Sequence, residues 1–161
     1  MQHYCHHYCV GSIRKIKHLA VLPANPKVIG SKPYTGNSDG ASDGPRAGMD
    51  EWIRQAIKHG AGAFWNNGSW GIRNMRGSDQ LSVHACGRAV DLSYRPSEQH
   101  PDANRKATIA FINIVLANAN ELGVECVLDY FPKAFGRGWR CDRQAWKSYS
   151  KPEIHGAPGG D

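Results

Sequence analysis

Apolar residues recur at helical spacing in two stretches of the chain. Trp52, Ile53, Ala56 and Ile57 predict a helix over about 49–59, with Gly60 as its stop. A longer stripe predicts a second helix over about 102–122, with Gly123 at its C-terminal end. That stripe consists of Ile109, Ile112, Val115, Leu116, Ala119 and Leu122.

Other stretches carry the patterns of strands. Residues 87–94 alternate, with Val90, Leu92 and Tyr94 on one face, which predicts a strand. A short strand is predicted over 69–75 and a buried one over 124–130, whereas 133–161 is expected to be loop-like. Helices mixed with short strands, without regular βαβ alternation, predict the α+β class with a small antiparallel sheet and flanking helices.

The length of 161 residues predicts one domain with an appendage. Residues 1–30 form a Cys/His-rich N-terminal arm in this interpretation. Residues 31–48 are rich in Gly, Ser, Asp and Pro, which indicates a linker or a surface loop. Residues 49–161 then make up the main domain.

The chain is basic, with a net charge of +6 and a pI near 9.2, which favours a polyanionic partner such as nucleic acid, an anionic membrane face or a cell wall. The basic residues are dispersed and match no nucleic-acid-binding motif, so nucleic acid is not the expected partner. No apolar run is long enough for a membrane span, and the run at 19–22 is too short for a signal peptide. The five cysteines are expected to be free thiols, although one or two disulfides remain open.

Chemistry is concentrated in residues 82–91, where a His and an Asp stand seven positions apart around a glycine. Gly87 allows a tight turn, so His84 in the turn can meet Asp91 on the following strand. Imidazole nitrogen and carboxylate oxygen are suitable zinc ligands. A salt bridge between a turn histidine and a strand-edge aspartate is the alternative.

The same segment resembles the S-x-H-x-x-G-x-A-x-D signature of the zinc D,D-carboxypeptidase and L-alanyl-D-glutamate endopeptidase family. That family includes bacterial cell-wall carboxypeptidases and many phage endolysins. Residues 71–73 look like the family's Gly-aromatic-Arg element, with Ile72 in place of the aromatic residue. Segments 135–141 and 155–161 look like phage lysin versions of the family, and the resemblance covers about residues 45–161. All fixed positions of the signature match, at Ser82, His84, Gly87, Ala89 and Asp91.

The resemblance implies a zinc carboxypeptidase/endolysin type of fold and a role for each matching residue. His84 and Asp91 would be two of three Zn²⁺ ligands. Arg73 would hold the oxyanion that develops on the substrate carbonyl, and Asp161 would act as general base and then as general acid. Ser82 and Trp139 are the expected substrate contacts.

The third zinc ligand of the family is a histidine three residues after the acidic residue, and the sequence ends at Asp161. Three explanations are open: a truncated or processed chain, a ligand from elsewhere with His155 as the nearest choice, or a retired peptidase. The first is preferred, because the motif is intact up to its last residue. The final active-site strand is thus expected to be cut short.

The N-terminal arm also contains metal-binding residue types, but their spacing matches no standard zinc finger. A structural metal site is one interpretation. The others are a flexible terminus and an arm that packs its tyrosines on a neighbouring subunit. The residues concerned are His3, Cys5, His6, His7 and Cys9.

The expected function is therefore zinc-dependent cleavage of a stem-peptide bond in peptidoglycan by a phage lysin or a virion-associated wall-degrading protein. The expected partners are peptidoglycan and, as a further option, other virion proteins. The expected location is the virion or the host cell wall and periplasm. The alternative is a non-catalytic virion, tail or wall-binding protein built on a degenerate peptidase fold.

Overall fold

The computed structural model describes residues 32–75, 77–131 and 135–150, together with the backbone of one N-terminal strand. The class is α+β, as the sequence predicts. In chain order the elements are β1 (Cys5–Val10), α1 (Ala47–Gly60), β2 (Trp65–Asn66), β3 (Ala89–Ser93), α2 (Arg105–Ala117), α3 (Ala119–Leu122), β4 (Val124–Asp129), β5 (Arg137–Arg140) and β6 (Ala145–Ser148).

The strands form one antiparallel sheet in the order β2-β3-β1-β4-β5-β6. The first strand of the chain, β1, therefore lies in the interior of the sheet, between β3 and β4. Part of the predicted N-terminal arm thus supplies a strand to the same sheet that carries the signature segment.

The two faces of the sheet are covered differently. Val90 and Leu92 of β3 share a hydrophobic core with Val127 of β4 and with the inner sides of α1 and α2. The alternate residues Ala89 of β3 and Leu128 of β4 belong to a second, smaller cluster. We call the first face the helix face and the second the turn face, since the turn that precedes β3 contributes to it.

The predicted helices are present, and the second differs from its prediction in two ways. Helix α1 confirms the prediction over 49–59, and its core residues include Met49 and Trp52. The second helix begins later than predicted, because the Asn104 side chain accepts a hydrogen bond from the Ala107 N–H and caps it there. It is also interrupted at Asn118, whose side chain donates to the carbonyl of Ile114.

The predicted strands over 87–94 and 124–130 are confirmed as β3 and β4, whereas the strand over 69–75 is wrong. Those residues form only an isolated bridge, between Asn74 and Leu81, and the Trp70 indole instead donates to the Ser42 carbonyl. The loop predicted for 133–161 is wrong over β5 and β6. The Arg137 guanidinium stacks over the ring of Trp146, and this cation–π contact stabilises the hairpin. The alternation of apolar and polar residues does not reveal such a contact.

None of the helices in the described ranges is long and apolar enough to cross a membrane.

Candidate metal centre

The signature segment forms a tight turn that is held by its own backbone. The N–H groups of Ala85, Cys86 and Gly87 each donate to a carbonyl three residues earlier. The Ser82 hydroxyl accepts from the N–H of His84 at 3.3 Å, which makes Ser82 a residue that shapes the turn. Ser82, the predicted substrate contact, is buried in this turn, and its substrate role stays a prediction.

Gly87 is required by both the backbone and the packing of this turn. Its φ is +70°, a region that side chains other than glycine rarely adopt. An added Cβ would lie 2.6 Å from the carbonyl oxygen of Gly44 and 2.7 Å from the Ser42 hydroxyl. Glycine at this position of the signature therefore has a direct structural reason.

The segment predicted as a linker packs against the turn. The Ser42 N–H donates to the Ala85 carbonyl at 2.8 Å, and the Arg46 N–H donates to the Gly87 carbonyl at 3.1 Å. The Arg46 guanidinium also donates to the Cys86 carbonyl. Residues 42–46 thus fix the position of the turn and lead directly into α1.

Strand β3 holds Asp91 on the turn face of the sheet. The neighbouring Ala89 is fully buried in the turn-face cluster, so a larger side chain has no room there. The backbone N–H of Asp91 donates to Gly68, and its carbonyl accepts from Asn67. These bonds fix the position of Asp91 relative to the edge of the sheet.

The turn and the strand bring His84 and Asp91 together, as the sequence predicts. His84 Nε2 lies 3.6 Å from Asp91 Oδ2, and the two side chains are 2% and 22% exposed. That distance is too long for a hydrogen bond. Two ligands of one tetrahedral zinc ion, each about 2.0–2.2 Å from the metal, lie about 3.3–3.6 Å apart. The donor types and their separation both fit a shared zinc ion.

The described side chains do not complete such a site. Within the ranges whose side chains are described, no three His, Cys, Asp or Glu residues are grouped so that they could hold a metal. His155 and Asp161 lie outside those ranges, so their predicted roles stay predictions.

Arg73, the predicted oxyanion holder, lies next to the turn. Its carbonyl accepts the N–H of Ser82 at 3.0 Å, and its side chain is exposed. The predicted oxyanion role of Arg73 stays a prediction.

Trp139 lies elsewhere. It is 7% exposed and belongs to the core beneath the helices, opposite Val127 in the register of β4 and β5. This is the helix face, on the other side of the sheet from Asp91. Its indole contributes to packing, and we do not include Trp139 in the site.

Two buried ionic clusters escaped prediction from the sequence. In the first, Arg88 lies 3.0 Å from Asp39 and donates to Thr35, whose hydroxyl and N–H in turn donate to Glu125. Arg88 lies between Gly87 and Ala89 of the signature, and nothing in the sequence indicates that an arginine there is only 4% exposed. This cluster holds residues 35–39 against the sheet.

The second cluster surrounds Asp129, which is fully buried at the end of β4. Arg105 donates to its carboxylate at 2.9 Å and Arg137 at 3.1 Å, while the N–H of Phe131 donates to the other oxygen at 3.1 Å. A carboxylate with this many donors is satisfied within the fold.

The Cys141 thiol is buried in an environment that disfavours its thiolate. Burial, followed by the nearby carboxylates of Glu125 and Asp142, raises the pKa of its thiol to about 11. The protonated thiol donates to the carbonyl of Lys32. The thiolate, which is the reactive form of cysteine, is therefore disfavoured at neutral pH.

No family model matches the chain, and comparisons with curated proteins and with solved structures also find no match. Support for a function therefore comes from the residues of the site themselves.

Proposed function

We propose that this chain is a zinc-dependent peptidoglycan peptidase that cleaves a stem-peptide bond, with a fold of the zinc carboxypeptidase/endolysin type. The observation that carries the proposal is the 3.6 Å approach of His84 Nε2 to Asp91 Oδ2 inside a complete signature. The fixed positions between them also have physical roles: Gly87 permits the turn and Ala89 leaves room for packing.

In this proposal His84 and Asp91 hold the zinc ion, and Arg73 and Asp161 act on the substrate. When bound, zinc supplies Lewis-acid polarisation of the scissile carbonyl and activation of water. The Arg73 guanidinium stabilises the negative charge that develops on the carbonyl oxygen. The Asp161 carboxylate accepts a proton and returns it to the leaving amine.

The charge of the chain supports a wall substrate. A net charge of +6 favours association with an anionic bacterial cell wall. Together with the endolysin-like signature, this leads us to propose action at the host cell wall by a phage lysin or a virion-associated protein.

The test is release of peptides from purified peptidoglycan by the full chain supplied with zinc. We expect wild-type protein to release them and His84→Ala to release none. Because His84 is buried, Asp91→Asn is a second variant that keeps the shape of a more exposed side chain. His59→Gln, in the last turn of α1, is the matched control and should retain full activity.

Circular dichroism of each variant establishes that the fold is kept. Wall binding without peptide release by folded wild-type protein would overturn the peptidase proposal and favour the non-catalytic wall-binding alternative. Equal release by wild type and by both site variants would place the activity elsewhere in the chain.

A further inference from the structure

The N-terminal cluster of histidines and cysteines has no role in the function proposed so far. Its residues 5–10 form β1, which pairs with β3 on one side and with β4 on the other. The strand therefore lies directly beside the one that carries Asp91.

The register places His7 opposite Asp91. Directly opposite residues of an antiparallel pair lie on the same face of the sheet. His7 thus occupies a position on the turn face, where His84 Nε2 approaches the Asp91 carboxylate.

The hydrogen bonds of Asp91 sharpen this placement. Its N–H and carbonyl bond to Gly68 and Asn67, on the side of β3 away from β1. Towards β1, residue 91 therefore stands at a non-hydrogen-bonded position. Opposed residues in such pairs have Cα atoms about 4.5 Å apart, the closer of the two antiparallel spacings.

We propose that the zinc site of the chain lies where the register of β1 juxtaposes His7 with Asp91 and His84. Two histidines and one carboxylate form a ligand set used by catalytic zinc, which keeps a fourth position open. This inference rests on the zinc site of the proposed function. It adds a residue position from β1 to that site.

The register also selects His7 from its neighbours in β1. His6 lies opposite Leu92 and Asp129, on the helix face. Cys5 and Cys9 share the turn face but lie opposite Ser93 and Ala89, one pair away from Asp91 along the ladder. Residues in such diagonal positions are about 7–8 Å apart, beyond the spacing of direct neighbours.

The test is zinc binding by the full chain, measured as metal content after dialysis and as affinity by competition with a chelator. We expect one zinc per wild-type chain. His7→Gln should weaken zinc binding at least about 100-fold, because loss of an outer-shell partner alone costs 10–100-fold. His6→Gln, Cys5→Ser and Cys9→Ser are the matched controls in the same strand and should retain wild-type affinity.

A second readout is the absorption spectrum of the protein loaded with Co²⁺ in place of zinc. Replacement of a ligand changes the intensity and position of the cobalt bands, whereas a merely structural residue leaves them as they are. We expect a changed spectrum for His7→Gln and an unchanged one for His6→Gln.

Several results would overturn the inference. One is a His7→Gln protein with the zinc affinity and the cobalt spectrum of wild type. Another is loss of zinc binding in His155→Gln while His7→Gln still binds zinc. The third is a wild-type protein that contains no zinc. The proposed function can fail separately. If His7→Gln abolishes zinc binding but the wild-type protein releases no wall peptides, the zinc site stands and the peptidase proposal is wrong.

Discussion

Asp91 and Asp129 lie on opposite faces of one sheet, and the groups around them differ. Asp129, on the helix face, is fully buried and receives hydrogen bonds from two arginines and a backbone N–H. Asp91, on the turn face, is partly exposed and faces the imidazole of His84 at 3.6 Å. The first carboxylate is enclosed by donors, whereas the second faces a group that is itself a metal ligand type.

The difference separates a structural carboxylate from a candidate functional one. Strong burial with complete hydrogen bonding is what the fold needs to tolerate a charge. The Asp91 carboxylate, by contrast, lies beside an imidazole at the separation that two ligands of one tetrahedral zinc ion would have. The substitutions below test this contrast.

The largest effect is expected at Asp129. Asp129→Ala should lower the free energy of unfolding by about 3–5 kcal/mol, because it leaves two arginines without their buried partner. Urea denaturation measures this. Asp142→Ala, which removes an exposed partner of Arg140, is the control and should cost under about 1 kcal/mol. An equal loss of unfolding free energy in the two variants would show that the buried Asp129 cluster is no more stabilising than an exposed ion pair.

The zinc affinity of the same Asp129→Ala protein tests whether the two faces of the sheet act independently. We expect its zinc affinity to equal that of wild type, because the substitution lies on the helix face. A parallel loss of zinc affinity would show that the two faces are not independent.

The next effect is expected at Gly87. Gly87→Ala should cost about 3 kcal/mol of unfolding free energy, from backbone strain at positive φ together with overpacking. Gly40→Ala is the matched control, since an added Cβ there meets no atom within 4 Å. A Gly87→Ala protein as stable as the Gly40→Ala control would contradict the close approach of residues 42–46 to Gly87.

A smaller effect is expected at Ser82. Ser82→Ala removes the hydroxyl that accepts the His84 N–H and should cost about 1 kcal/mol. Because it loosens the turn that positions His84, it should also weaken zinc binding about 10-fold. Ser78→Ala removes a similar bond, to the N–H of Gln80, away from the site. Zinc titration of both proteins is the measurement, and equal affinities would argue against a positioning role for Ser82.

The smallest effect concerns an exposed carboxylate. Hydrogen bonds from Arg54 and then Gln55 lower the pKa of Glu51 from its ordinary 4.5 to about 2. This pair therefore adds stability above the unfolded-state pKa, and that stability is lost as the pH falls from 4.5 towards 2. Solvent screening keeps the contribution small.

Urea transitions of wild type and Glu51→Gln should therefore differ slightly near neutral pH and converge in acid. Arg54→Gln removes the same ion pair, so its stability should also differ slightly from that of wild type near neutral pH and converge with it in acid. Parallel curves for all three proteins over the whole range would contradict the pKa shift.

Local patterns predicted much of the fold. Helical spacing located α1, and the alternation around Val90 and Leu92 located β3 because one face of that strand enters the core. The tight turn at Gly87 followed from residue type and spacing alone. These features depend on neighbouring residues, which a sequence displays directly.

Features that depend on distant residues could not be predicted. The hairpin of β5 and β6 is stabilised by contacts of arginines with aromatic rings, including that of Arg140 with the Tyr34 ring. The donors around Asp129 come from α2, from β5 and from the backbone just after β4. The core position of Trp139 depends on the register of β5, so the sequence alone left open whether it faces solvent or the core.

The site was predicted in part for the same reason. His84 and Asp91 belong to one short segment, and the structure brings their side chains together. The position of His7 depends on the pairing of β1 with β3, two segments far apart in the chain. No spacing rule connects them.

The interior position of β1 also has consequences for how the chain folds. Cys5 pairs with Ser93, and His6 pairs with Asp129, so the middle of the sheet forms from contacts that are remote in sequence. Closing such large loops slows folding. Until β1 is in place, β3 and β4 each present an unpaired apolar edge, which is the kind of surface through which partly folded chains aggregate. Residues 5–10 thus cover two strand edges at once, and substitutions that weaken their pairing are expected to favour aggregation during refolding.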